Sequence, residues 1–203
     1  LEGARVVIGD VDAKKGATAA QTIGEAARFV VLDVTSESRW AEVVQEITER
    51  EGRVDVLVNN AGIGLRKNGI EDTTLEELRR IQSVNLEGVF LGLREAIRVM
   101  KDQETGGSIV NMSSVAGIIG DPSLVAYCAS KGGVRAMSKA TALHCAIKGY
   151  GIRINSVHPC YTETPLVQDM IQGASDPAKV HQAIIRTIPM KRMARPEEVV
   201  GVI

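Results

Sequence analysis

Five short aliphatic, β-branched runs, each followed by a longer stretch, constrain this chain more than any other feature. They fall at residues 5–9, 28–33, 54–59, 108–112 and 152–157. Each is mostly apolar, although Arg153, Asn155 and Ser156 interrupt the last. A nearly continuous apolar run is the pattern of a strand buried on both faces of a parallel sheet. Aromatic residues make up only 3% of the chain, so the core has to be built from Val, Ile, Leu and Ala. Helical patterns lie between and after the runs, at 13–23, 36–52, 75–101 and 127–149. In the second, Ser36 is a candidate N-cap, and Trp40, Val43, Val44 and Ile47 recur at helical spacing. The stretch 75–101 holds one long helix or two in succession. Gly52 and Gly149 stand where a helix-closing glycine belongs. Strand-helix alternation implies an α/β fold with a parallel sheet and right-handed crossovers, and 203 residues fit one domain, 1–203.

A formal net charge of −1 favours neither nucleic acid nor an anionic membrane as partner. No apolar run reaches the roughly 18 residues of a membrane span. The first residues lack a signal-peptide pattern, and the absence of a starting Met hints at a missing front end. Cys128, Cys145 and Cys160 form an odd set without short paired spacings. That argues against a disulfide framework or a zinc site and for a reducing, cytoplasmic setting.

In open α/β sheets, ligands bind beyond the carboxyl ends of the strands. Chemically capable residues fall there after every run: Asp10, Asp33, Asn59-Asn60-Ala61-Gly62, Ser113-Ser114 and His158-Pro159. Turns favour Asp, Asn, Ser and Pro in any case, but five such ends on one rim form a coherent pattern. Tyr127 and Lys131 are four apart, on one face of the last long helix. A neighbouring ammonium favours a phenolate and lowers the phenol pKa, which suits a tyrosine to general acid/base work. Ser114 lies thirteen residues before Tyr127 without a His or Asp at triad spacing, so it fits a polariser of a substrate oxygen better than a nucleophile.

With Asn59-Asn60-Ala61-Gly62, Asn85 in Val84-Asn85-Leu86, Ser113-Ser114, Tyr127 to Lys131 and Pro159 through Thr164 in this order and spacing, the chain resembles the short-chain dehydrogenase/reductase family. The resemblance implies a Rossmann-type doubly wound parallel sheet in which Tyr127 is the general acid/base and Ser114 orients the substrate oxygen. It implies that Lys131 lowers the Tyr127 pKa and binds the nicotinamide ribose, and that Asn85 holds a relay water. It also implies that Asn59, Ala61 and Gly62 support the adenosine side while bracing the sheet. Asp33 and Val34 would contact the adenine, and Pro159, Thr162 and Thr164 would belong to the loop holding the nicotinamide amide. The family's usual Gly after that proline is Cys160 here. Its glycine-rich loop with the preceding first strand, and its last strand, are expected to lie outside this chain.

Asp10 ends the strand whose carboxylate accepts from the adenosine ribose hydroxyls and repels a 2′-phosphate, which favours NAD. Residues 166–193 should form a flap whose apolar members suit an uncharged substrate. The expected activity is NAD-dependent oxidation of a secondary alcohol, or the reverse reduction, on a small apolar or cyclic substrate. An NADPH-dependent 3-oxoacyl-type ketoreductase, an inactive fragment and a non-catalytic nucleotide-binding relative are the alternatives. The resemblance also implies a homo-oligomer, dimer or tetramer. Finally, it places one strand between runs 5–9 and 54–59, so these two should not pair but stand roughly two strand spacings, about 9.6 Å, apart.

Overall fold

The structure is a computed structural model and describes residues 3–64 and 69–203. The sequence-level remarks on Leu1 and Glu2 lie outside the described residues. The chain forms an α/β fold with parallel strands. Strand β1 (Val6–Asp10) pairs with β2 (Ala27–Val31), while β3 (Val56–Asn59), β4 (Gly107–Met112) and β5 (Ile152–Val157) form a second parallel set in that order. Among the described residues β1 and β3 do not pair with each other, as the expected strand order requires.

Two strands differ from expectation by two residues at one end, each for a local reason, while β1 and β4 differ by a single residue at their ends. β3 begins at Val56 rather than Val54, because the Gln103 side chain takes both backbone groups of Val54: Val54 N–H donates to Gln103 Oε1, and Gln103 Nε2 donates to Val54 O, both at 2.9 Å. β2 stops at Val31, two residues before Asp33, whose carboxylate instead accepts from the amide and hydroxyl of Thr35.

Helix α1 (Ala13–Ile23) follows β1 and α2 (Glu37–Glu51) follows β2. Ser36 caps α2 by accepting from the Arg39 amide, and Gly52 closes it in the left-handed region at φ 80°, where a side chain would be strained. The stretch 75–101 resolves into α3 (Leu75–Gln82), a π-helical turn at Ser83–Glu87 and α4 (Gly88–Met100). The π turn carries Asn85 and turns it inward; such turns concentrate at functional sites. Helix α5 (Val125–Lys148) is the longest, and α6 (Pro165–Gln172), α7 (Pro177–Thr187) and α8 (Pro196–Val200) complete the chain. Among the described residues no helix is long and apolar enough to cross a membrane.

The core is aliphatic, as the composition demands. One cluster joins Val89, Leu93, Ala96 and Met100 of α4 to Ile109, Val134, Cys145, Ile152 and Ile154. A second joins Val30 and Leu32 to Trp40, Val43 and Val44 of α2 and Leu91 of α4. Leu57 of β3 packs against both clusters and so links the two strand sets through their helices. A third cluster, around Ile171, Ile184, Ile188 and Met193, packs α6 onto α7.

A buried polar ladder crosses this apolar interior. Asn59 Nδ2 donates to Asn111 Oδ1 at 2.8 Å, Asn111 Nδ2 donates to Ser138 Oγ at 2.9 Å, and Ser138 Oγ donates to Val134 O at 2.7 Å. All three side chains are buried, so each bond replaces water that cannot reach them. The ladder ties β3 to β4 and β4 to α5 in one register. Asn111→Leu keeps the branching and heavy-atom count but leaves the Asn59 amide without its acceptor and removes the donor to Ser138 Oγ, which keeps its bond to Val134 O, and is expected to cost about 3 kcal/mol by urea unfolding. A cost below about 1 kcal/mol would show that the ladder is not needed to hold the sheet.

Candidate active site

The parallel register sets the rim. Asn59 stands opposite Asn111, and Asn111 opposite Ser156, so the segments that follow these three strands leave the sheet side by side. Ser113 and Ser114 follow β4, and a short 3-10 turn at Val115–Gly117 carries the chain onward to α5. Gly117 matters for closeness: a Cβ there would lie 2.6 Å from the Lys131 carbonyl oxygen.

Lys131 is the centre of the arrangement. It is buried, and its Nζ donates to the Met112 carbonyl at 2.7 Å. Its own carbonyl accepts from the Ser113 hydroxyl at 2.8 Å. Together the two bonds clamp α5 onto the end of β4. Tyr127, one turn earlier, lies with its ring centroid 5.7 Å from Lys131 Nζ. The Ser114 side chain lies close enough to the Tyr127 phenol to favour the phenolate. Burial pushes the Tyr127 phenol above its ordinary value near 10; Ser114 pulls the other way, while Cys128 and Tyr161 nearby add to the rise. The lowering expected from Lys131 is therefore corrected: Lys131 is not among the groups that act on the phenol, and desolvation is the largest influence on it. Burial also pushes the Lys131 ammonium down, to about 8.

Asn85 reaches the same spot from the π turn. Its Oδ1 accepts from the Ile63 amide at 2.8 Å and its Nδ2 donates to the Ile63 carbonyl at 2.9 Å, with Ser130 Oγ 3.4 Å away. Ser130 Oγ donates to the Tyr127 carbonyl at 2.8 Å. Gly62 lies bare against this group: a Cβ there would come 3.5 Å from both Asn85 Oδ1 and Lys131 Nζ. Asn85, Ser114, Tyr127, Lys131 and Gly62 thus converge.

The remaining candidates fall into three places. Val34, Asn59 and Ala61 line one shallow cleft with Val84, Gly88 and Val89. The Asn59 amide itself points into the sheet ladder, so within that cleft its visible work is bracing. Asp10 and Asp33 close their own turns: Asp10 Oδ1 accepts from the Asp12 amide at 2.8 Å, and the Thr35 bonds hold the Asp33 carboxyl below its usual range. Both carboxylates remain exposed. On the loop after β5, the Pro159 carbonyl accepts from the Val115 amide, which seats the loop against Ser114. Thr162 is buried, donating to the Cys160 carbonyl and bridging to Ala194, and the Thr164 amide donates to the Thr162 carbonyl at 2.7 Å. Residues without an assigned role in the sequence also belong here: Ser113, Ser130, Asn111, Ser138 and His158. A polar residue inside an apolar run, as with Asn111, was the available signal.

The family profile described as enoyl-(acyl carrier protein) reductase matches residues 1–203. Over 177 residues the chain is 50% identical to an NADP-dependent (R)-specific alcohol dehydrogenase of Lentilactobacillus kefiri, covering 86% of this chain and 69% of that one. It is 40% identical over 201 residues to a cyclopentanol dehydrogenase of Comamonas testosteroni, covering 98% and 77%. A crystal structure of NAD+-bound xylitol dehydrogenase superposes with a TM-score of 0.92 at 30% identity, over 99% of this chain and 81% of that one. The converging Tyr127, Lys131, Ser114 and Asn85 and these likenesses agree: the chain belongs to the short-chain dehydrogenase/reductase family, whose members are NAD(P)-dependent oxidoreductases acting on alcohols.

Proposed function

We propose that this chain oxidises a small apolar or cyclic secondary alcohol to the ketone, or runs the reverse reduction, with NAD as cofactor. The observation that carries the reading is the Tyr127 phenol held against the Ser114 hydroxyl at the sheet rim, with buried Lys131 behind it. When bound, the nicotinamide supplies the hydride acceptor or donor. The chain's own residues supply the proton chemistry. The Tyr127 oxygen takes the proton of the carbinol hydroxyl during oxidation and returns it to the carbonyl oxygen during reduction. Ser114 donates a hydrogen bond to that same oxygen and steadies charge developing on it. Lys131, charged below about pH 8, places a cation one helical turn from the phenol. The Asn85 amide holds the Ile63 backbone, keeping Gly62 against Lys131.

The residues present fit a dinucleotide along the rim. The bare Gly62 surface beside Lys131 admits close backbone approach to a ribose, and the Val34–Asn59–Ala61 cleft gives an apolar wall to an adenine. Asp10, Asp33, Gly62, Lys131, Pro159, Thr162 and Thr164 complete the proposed holding set. Preference for NAD rests on Asp10, whose exposed carboxylate would repel a 2′-phosphate, and on Lys15, which is paired with Asp12 at 3.4 Å. NADP is the second reading, favoured by the cofactor named for the Lentilactobacillus relative. The cyclopentanol dehydrogenase supports a cyclic alcohol as substrate. Exposed Phe90 on α4 and Leu143 and Ile147 on α5 support assembly with further copies, as a dimer or tetramer. The free thiols of Cys128, Cys145 and Cys160 support a cytoplasmic setting.

Tyr127→Phe removes only the phenol oxygen. It is expected to lower kcat by about a thousandfold while changing cofactor affinity, read by fluorescence titration, less than about threefold. Retention of a tenth or more of the turnover would remove Tyr127 from the acid/base role.

The buried ammonium also makes stability depend on pH. Because the native Lys131 value, about 8, lies below the 10.5 of the free side chain, the native state releases this proton before the unfolded chain does. The penalty is complete below about pH 8 and is relieved as pH rises toward 10.5, a difference of about 3 kcal/mol. Urea unfolding should therefore show stability contributed at this site rising from about pH 8 to 10, with the rise gone in Lys131→Met. Identical pH profiles for the two proteins would contradict the burial of a charged Lys131.

A further inference from the structure

His158, on the loop leaving β5, is a rim residue to which the chemistry above gives no task. Its ring is held at both nitrogens: Nδ1 lies 3.0 Å from the Ser114 carbonyl oxygen and Nε2 lies 2.9 Å from the Ser156 hydroxyl. A carbonyl oxygen only accepts, so Nδ1 carries the hydrogen. In the neutral ring Nε2 then bears the lone pair, and Ser156 donates to it. The flanking backbone is stitched on either side of this contact. Ser113 N–H donates to Val157 O, and Val115 N–H donates to Pro159 O, both at 2.9 Å. Pro159 has no N–H, so the donor this segment offers to Ser114 comes from the His158 side chain.

The Ser114 carbonyl accepts from the Gly117 amide as well, at 2.9 Å. Held from two sides, the peptide plane after Ser114 cannot turn, and Ser114 stays extended at φ −165° and ψ 161°. Its Oγ accepts from the Ala116 amide at 3.1 Å, which leaves its own hydrogen to donate towards Tyr127 or a substrate oxygen. We infer that His158 is a positioning residue for Ser114: its Nδ1–H locks the Ser114 carbonyl and thereby aims the Ser114 hydroxyl at the oxygen Tyr127 serves. The inference rests on the roles proposed for Ser114 and Tyr127.

The test compares His158→Asn, His158→Gln and His158→Leu with Ser114→Ala in the intact enzyme, using cyclopentanol and NAD or NADP. An Asn amide nitrogen falls where Nδ1 stands, a Gln amide falls nearer Nε2, and Leu offers neither. Misplacing a reacting group by about 1 Å costs up to about a hundredfold in rate, so His158→Leu and His158→Gln should lose about ten- to a hundredfold in kcat. His158→Asn should stay within about threefold of the parent, and cofactor KM should move less than about threefold in all three. Rescue by Asn but not Gln separates positioning from general packing. Equal losses in Asn and Leu, or full turnover in Leu, overturn the inference while a loss in Ser114→Ala leaves the Ser114 role standing. Full turnover in Ser114→Ala overturns both. Independent of activity, long-range nitrogen–proton NMR of the neutral His158 ring in the parent enzyme should show the Nδ1–H tautomer. The Nε2–H tautomer would overturn the inference even if every variant misfolds, because it turns a lone pair toward the Ser114 carbonyl.

Discussion

A buried ammonium holding a strand-end carbonyl is the constraint on which the rest of the site depends. Lys131 Nζ donates to Met112 O, and Ser113 Oγ donates back to Lys131 O. Charge buried this deeply is costly unless it is hydrogen-bonded, so the two elements cannot drift apart without exposing unpaired groups. The clamp fixes how far α5 slides along β4. That distance in turn sets whether the Tyr127 phenol meets the Ser114 hydroxyl. Gly117 permits the approach by having no side chain where the Lys131 carbonyl passes.

Around the clamp, each neighbouring element contributes one fixed group. The π turn delivers Asn85, whose side chain pairs with both backbone groups of Ile63 and so holds the loop after β3. The loop after β5 contributes the Pro159 carbonyl to Val115 and the His158 ring to Ser114. The Asn59–Asn111–Ser138 ladder keeps β3, β4 and α5 in register beneath them. Local backbone pairing, rather than long surface ion pairs, therefore positions the chemistry. Surface pairs such as Arg53–Asp55 are exposed and contribute little.

Much of this was legible in the sequence because it depends on period and position. Apolar runs located all five strands, helical spacing located α1, α2 and α5, and the four-residue step from Tyr127 to Lys131 put both on one face. Groups whose role depends on a backbone partner far along the chain were not legible. Nothing local tells that Lys131 will find Met112 O, that Gln103 will occupy Val54 and delay β3, or that Asn111 will face Ser138. The π turn escaped because one extra residue in a helical turn leaves the apolar spacing around it readable as helix; only the buried Asn85 marks it. The direction of the Tyr127 shift escaped because desolvation is a property of the packed site, whereas the sequence shows only the nearby lysine.

Isotope transfer tests the central claim most directly. The enzyme is incubated with cyclopentanol deuterated at the carbinol carbon, once with NAD and once with NADP, and the reduced nucleotide is analysed by mass spectrometry. The account predicts ketone formation with a single deuterium carried to the nicotinamide ring, faster with NAD than with NADP. Ketone formed with only protium on the nicotinamide would contradict it, and so would the absence of any transfer with either nucleotide across a panel of secondary alcohols.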